Sequence, residues 1–232
     1  MKKHIPNSLT CGNLISGCIA TFFAFSGRYE LAFLFIVIGA VFDFFDGMSA
    51  RLLGVSSPIG KELDSLADDV TFGVAPSAMV FNLLSTLEYP AVMEPLRCVL
   101  PFVAFLMAAF SALRLAKFNL DERQTTSFIG LPTPANALFW ASLIVGVENF
   151  LASSPYMVLA VLVMLAVCSW LLVAEFPMFA LKFKHWGWKG NEVKYVFVLV
   201  SVLLLAVFRL GGFAVVMAWY VILSVYNNRK KG

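Results

Sequence analysis

Apolar runs about as long as a membrane is thick recur along almost the whole chain, separated by short links of charged and turn-forming residues. A helix needs about 20 such residues to cross the hydrocarbon core. Runs of this kind lie near 8–25, 30–52, 60–86, 95–117, 134–150, 155–174, 192–208 and 211–226. No water reaches the backbone inside a bilayer, so each run has to be a helix that satisfies its own hydrogen bonds. Composition agrees: 60% of the 232 residues are hydrophobic and 13% charged, where soluble domains carry about 25% charged residues. The mean hydropathy is +0.85. The expectation is an all-α polytopic membrane bundle of about eight transmembrane helices, with residues 1–232 forming a single integral membrane domain. The opening MKKHIPNSLT is basic and then apolar, but no small-residue cleavage pattern leads into a polar region, so it reads as a retained first helix.

Charge sets an orientation. With the N-terminus in the cytoplasm, only Arg28, Arg97 and Arg209 of the 17 Lys and Arg residues fall outside. That asymmetry follows the positive-inside rule and puts both termini in the cytoplasm. KFKHWGWK at 182–189 mixes Lys with Trp186 and Trp188, the composition of a headgroup-level anchor. The net charge of +3 is small and dispersed, which argues against nucleic acid as a partner. Cys11, Cys18, Cys98 and Cys168 lack CxxC spacing and read as buried small hydrophobes. His4 and His185 stand too far apart for a zinc site and belong at the membrane surface.

Against this background, VFDFFDGMSARLLGVSSPIGKELDSLADD carries Asp43, Asp46, Asp64 and Asp68. Each charge inside a membrane helix costs about 2.5–3.5 kcal/mol, so four cost on the order of 10 kcal/mol unless a cation or water-filled cavity offsets them. Asp43, Asp46, Gly47 and Ala50 follow i, i+3, i+4, i+7 spacing on the second span, and Gly60, Asp64 and Asp68 follow spacing of four on the third. Each set forms one helical stripe. Counted from Arg51 and Gly60 at about 1.5 Å per residue, the two stripes reach matching depths. The turn at LLGVSSPI lets them face each other. Arg51 and Lys61 are too few to neutralise four acids. Clustered carboxylate oxygens suit Mg²⁺ or Mn²⁺, with coordination positions left for water and substrate phosphate. Asp69 lies about 100° off its stripe and stays outside the primary set.

These residues reproduce D-x2-D-G-x2-A-R-x8-G-x3-D-x3-D, the signature of the CDP-alcohol phosphotransferases, at every fixed position. The chain resembles that family. The resemblance implies a helical membrane enzyme, commonly a homodimer, that uses two divalent ions to cleave the diphosphate of a CDP-linked donor and release CMP. IPNSLTCGNL, ELDSLADDVTFGVAPS, RLAKFN and FIGLPTPANA are similar to blocks of its membrane-spanning, phosphatidylserine-forming branch. That further resemblance implies CDP-diacylglycerol as donor, L-serine as acceptor, and a bacterial cell membrane as the setting. It makes Asp43, Asp46 and Asp64 metal ligands and Asp68 both ligand and general base. Gly47, Ala50 and Gly60 would border the nucleotide, with Arg51 near its phosphates. Arg114, then Lys117, are the candidates for the serine carboxylate; Asn119 and Thr133 lie near the same pocket. One departure stands out: Asp69 and Val70 occupy a place where two apolar residues are expected.

Three rival readings remain at this stage. The same chemistry could serve glycerol 3-phosphate, inositol phosphate or an amino alcohol. An intramembrane prenyltransferase also holds a diphosphate through Asp and Mg²⁺, but on well-separated helices. A divalent-cation transporter would place its acids at the membrane midplane.

Overall fold

In the computed structural model, the described residues are 4–55, 57–120, 128–178, 187 and 191–229. The apolar runs become helices: α1 (His4–Phe25), α2 (Tyr29–Leu53), α3 (Pro58–Asp68), α4 (Ala75–Thr86), α5 (Phe105–Leu120), α6 (Thr133–Leu151), α7 (Met157–Val173), α8 (Glu192–Phe208) and α9 (Gly212–Arg229). Four helical stretches, His4–Phe25, Tyr29–Leu53, Leu100–Leu120 and Glu192–Val225, are long and apolar enough to cross a membrane. Large apolar side chains such as Phe22, Leu52 and Val163 point outward, as a lipid-facing surface requires. The only strand pairing among the described residues is a two-residue antiparallel contact, Phe128–Ile129 with Pro177–Met178.

Several spans differ from their expected form. The run at 60–86 is α3 and α4 joined through one π-helical turn, Asp69–Val74. The run at 95–117 begins as two short 3₁₀ segments before α5. The runs at 192–208 and 211–226 do take their expected form, as the two arms of a hairpin. Arg209 (φ 51°) turns the chain, and a Cβ on Gly212 would meet the Leu204 carbonyl at 2.9 Å. Periodicity did not reveal the π turn, because one extra residue per turn leaves an apolar run apolar.

α1 is the central element and packs against α2, α3, α4 and the π turn. Small residues make this possible. A Cβ on Gly17 would lie 2.8 Å from the Thr71 Cα, and one on Gly39 would lie 2.5 Å from its Cγ2. Thr71 therefore sits in a notch formed by two glycines, and its Oγ1 donates to the Asn13 carbonyl at 3.0 Å. Close backbone approach through small residues is the usual way membrane helices gain packing energy without a hydrophobic driving force. The buried core around Ile36, Phe72, Met79, Leu83, Trp140 and Ile144 joins α2, α4 and α6. The cysteines differ from expectation: Cys168 is buried, but Cys11, Cys18 and Cys98 are exposed. A thiol behaves as a small hydrophobe, so an apolar stretch alone does not decide whether it faces the core or the lipid. His4 is exposed; His185 and most of 182–189 lie outside the described residues.

Candidate active site

The turn between α2 and α3 is built from local chemistry. Gly54 takes the left-handed conformation (φ 62°) that closes α2, and its N–H donates to Arg51 O. Ser57 caps α3, accepting from the Gly60 N–H at 3.0 Å, and Pro58 follows at the first helical position. This reversal brings the two acidic stripes face to face. Oxygens of Asp43, Asp64 and Asp68 lie within 4.8 Å of one another.

Asp46 stands one turn toward the α2 end and outside that trio. It is buried, and its Oδ2 accepts from Thr10 Oγ1 at 2.7 Å. It lines an adjoining cavity of about 270 Å³ together with Gly47, Ala50, Gly60, Asp64 and Pro6. A Cβ on Gly60 would meet Ser57 Oγ at 3.0 Å and Asn7 Oδ1 at 3.2 Å, so the missing side chain keeps this wall open.

Two of the cations near the cluster, Arg51 and Lys61, are committed elsewhere. Arg51 Nε donates to the Gly47 carbonyl at 2.9 Å, and Lys61 Nζ donates to the Asn119 carbonyl at 2.7 Å. Among the described residues the one ion pair within 4.0 Å is Arg97–Glu94, in the link between α4 and α5. Asp64 Oδ1 is buried with no hydrogen-bond partner. Three converging carboxylates, one with an orphaned oxygen and none with a cationic side chain in contact, form the donor set a hard divalent cation takes. The residues present therefore fit a metal.

Two participants were not picked out from the sequence, Thr10 and Asn13 on α1. Asn13 is fully buried, and its Nδ2 donates to Asp68 Oδ1 at 3.0 Å. A signal existed: Pro6, Thr10 and Asn13 run along one face of a helix whose composition is otherwise that of a lipid-embedded rod.

The expected acceptor residues separate. Arg114 is buried on α5, with its Nε unpartnered, and lies in electrostatic range of Asp68. Lys117 is exposed. Asn119 Nδ2 donates to Ser65 Oγ at 2.8 Å, tying the end of α5 to α3. Thr133 is buried at the start of α6 with its hydroxyl unpartnered. The turn before it is fastened to the end of α7. Gly130 (φ 75°) donates to the Phe176 carbonyl, and Leu131 donates to the Leu171 carbonyl.

The sequence profile of the CDP-alcohol phosphatidyltransferase family matches residues 3–171. The chain is 41% identical over 133 residues to the CDP-diacylglycerol–serine O-phosphatidyltransferase of Bacillus subtilis, covering 57% of this chain and 70% of that one. The enzyme of the same name from Methanocaldococcus jannaschii is 31% identical over 173 residues, 75% of each chain. The one from Helicobacter pylori strain J99 is 36% identical over 135 residues, and the match spans about half that relative's length, 54%.

Proposed function

We propose that this chain, which belongs to the CDP-alcohol phosphatidyltransferase family, transfers the phosphatidyl group of CDP-diacylglycerol to L-serine, giving phosphatidylserine and CMP. The observation that carries the reading is the convergence of Asp43, Asp64 and Asp68 within 4.8 Å beside a glycine-walled cavity. Relatives named for this reaction, at 31–41% identity, support the choice of acceptor.

Two divalent ions, Mg²⁺ or Mn²⁺, bound at the aspartates would neutralise the donor diphosphate and the charge developing in an in-line displacement. The chain's own residues supply the rest. Gly47, Ala50 and Gly60 leave room for the nucleotide in the cavity, and Asp46 closes its inner wall. The serine hydroxyl attacks the phosphorus that carries the diacylglycerol. The new P–O bond forms as the bond to the CMP phosphate breaks, and CMP leaves with the electron pair. The hydroxyl proton passes to Asp68, whose Oδ1 is held by Asn13 and whose other oxygen remains available. Arg114 stands ready for the serine carboxylate. The site opens toward the cytoplasm, where both termini lie, and two copies assemble as a homodimer in the cell membrane.

The test is CMP release by the purified protein in lipid, with CDP-diacylglycerol and Mn²⁺ or Mg²⁺, offering L-serine, glycerol 3-phosphate, inositol phosphate or ethanolamine in turn. Serine-dependent release is expected. Release with another acceptor and none with serine would overturn the assignment.

A further inference from the structure

Asp69 is the acidic residue left over when the motif is accounted for. It opens the π turn, whose extra residue carries it toward α5. A Cβ on Gly73 would lie 2.6 Å from Asp69 Oδ1 and 2.9 Å from Ser111 Oγ, so both oxygens crowd a space that only a glycine leaves open. Ser111 is the hydroxyl beside the Asp69 carboxylate, and Asp69 Oδ1 and Ser111 Oγ are both buried with no further hydrogen-bond partner. One helical turn along α5 from Ser111 stands Arg114, 7% exposed, its guanidinium over the Phe118 ring and in electrostatic range of Asp68 and Tyr220. Asp69 and Arg114 form no ion pair with each other.

Asp69 reaches α5 at Ser111, Arg114 follows one helical turn on, and Asp69 Oδ1 and Arg114 Nε each lack a hydrogen-bond partner, an arrangement that suits a ligand carrying both charges. An ammonium group offers three donors, enough for the Asp69 carboxylate and the Ser111 hydroxyl, and a carboxylate suits the Arg114 fork. A ligand held between them, with Asp68 beside Arg114, would present its hydroxyl to the reacting carboxylate. A phosphorylated polyol would bring only negative charge against Asp69.

Resting on the serine-transfer reading, we infer that Asp69, supported by Ser111, binds the ammonium of the acceptor while Arg114 binds its carboxylate, so that the two charges select a zwitterionic amino-acid alcohol.

The full chain in lipid, with CDP-diacylglycerol and Mn²⁺, is assayed for CMP release with L-serine, with glycerate (hydroxyl in place of ammonium) and with serinol (hydroxymethyl in place of carboxylate). Losing a hydrogen bond to a charged group predicts that Asp69→Asn raises the serine KM by about tenfold or more at little cost in kcat, and narrows the preference for serine over glycerate. Asp69→Glu should recover part of the loss. Arg114→Gln should instead narrow the preference for serine over serinol. Ser111→Ala keeps the test alive if an Asp69 variant fails to fold, and should raise the serine KM by a smaller factor. An unchanged serine-to-glycerate preference in Asp69→Asn, or a fall in kcat alone, overturns the proposal. Wild-type protein that releases no CMP with serine, yet does so with another acceptor, refutes the serine-transfer reading first and this inference with it.

Discussion

Replacing Asn13 with Ala tests whether α1 takes part in the chemistry or merely packs. The side chain is fully buried, and its only hydrogen bond runs from Nδ2 to Asp68 Oδ1 at 3.0 Å. The bond from Thr71 Oγ1 goes to the Asn13 backbone carbonyl, so Ala leaves it in place. A hydrogen bond to a charged group contributes about 1.5–3 kcal/mol. At about 1.4 kcal/mol per decade, kcat/KM should fall about ten- to hundredfold. The loss should appear mainly in kcat, because Asp68 would no longer be held in one orientation, while the serine KM changes little. Asn13→Asp should be worse than Ala, since it replaces the donor with a further negative charge. Thr21→Ala on the same helix is the control: its Oγ1 bonds only the Gly17 carbonyl, at 2.8 Å, and turnover should be unaffected. The assay is initial-rate CMP release across serine concentrations, with folding checked by size exclusion. Asn13→Ala within about twofold of the unmodified protein would refute the reasoning, since that is less than 0.5 kcal/mol.

Asn replacement of Asp43, Asp64 or Asp68 should abolish turnover and Mn²⁺ binding together, followed by calorimetry. Asp46→Asn, outside the trio, should keep more metal affinity and lose donor binding instead. Gly17→Ala and Gly39→Ala should each cost about 1–3 kcal/mol through overpacking, read as a lower thermal midpoint. Thr71→Ala should relieve the Gly39 variant more than the Gly17 one, since the Cβ added at Gly39 meets the side chains of Thr71 and Asn13 rather than backbone. Asn119→Ala should lower stability by about 1 kcal/mol through loss of the tie to Ser65, and leave the serine KM unchanged in the CMP assay.

Much of the site was legible because helical geometry is rigid. Spacing of three and four residues put Asp43 and Asp46 on one stripe and Asp64 and Asp68 on the other. Gly54, Ser57 and Pro58 carry the turn that joins the two helices in their own local chemistry. Depth along a helix follows from the rise per residue, so matching levels could be read by counting. Hydropathy located the helices for a similar reason: a bilayer forces every apolar run to satisfy its own backbone, and few alternatives exist.

What lay beyond reach was whatever depends on which helices touch. No periodicity in α1 says that Thr10 meets Asp46, or that Asn13 meets Asp68 55 residues away. Nor does the sequence say that Asn119, at the end of α5, bonds Ser65 on α3. The π turn, and with it the aim of Asp69 toward Ser111, depends on Thr71 seating between Gly17 and Gly39, a fit between three separate segments. The residues that carry charge, and their order along each helix, were thus set by the chain alone. Which of those charges converge and which stand apart was settled by packing, because side chains on different helices meet only when their backbones can approach.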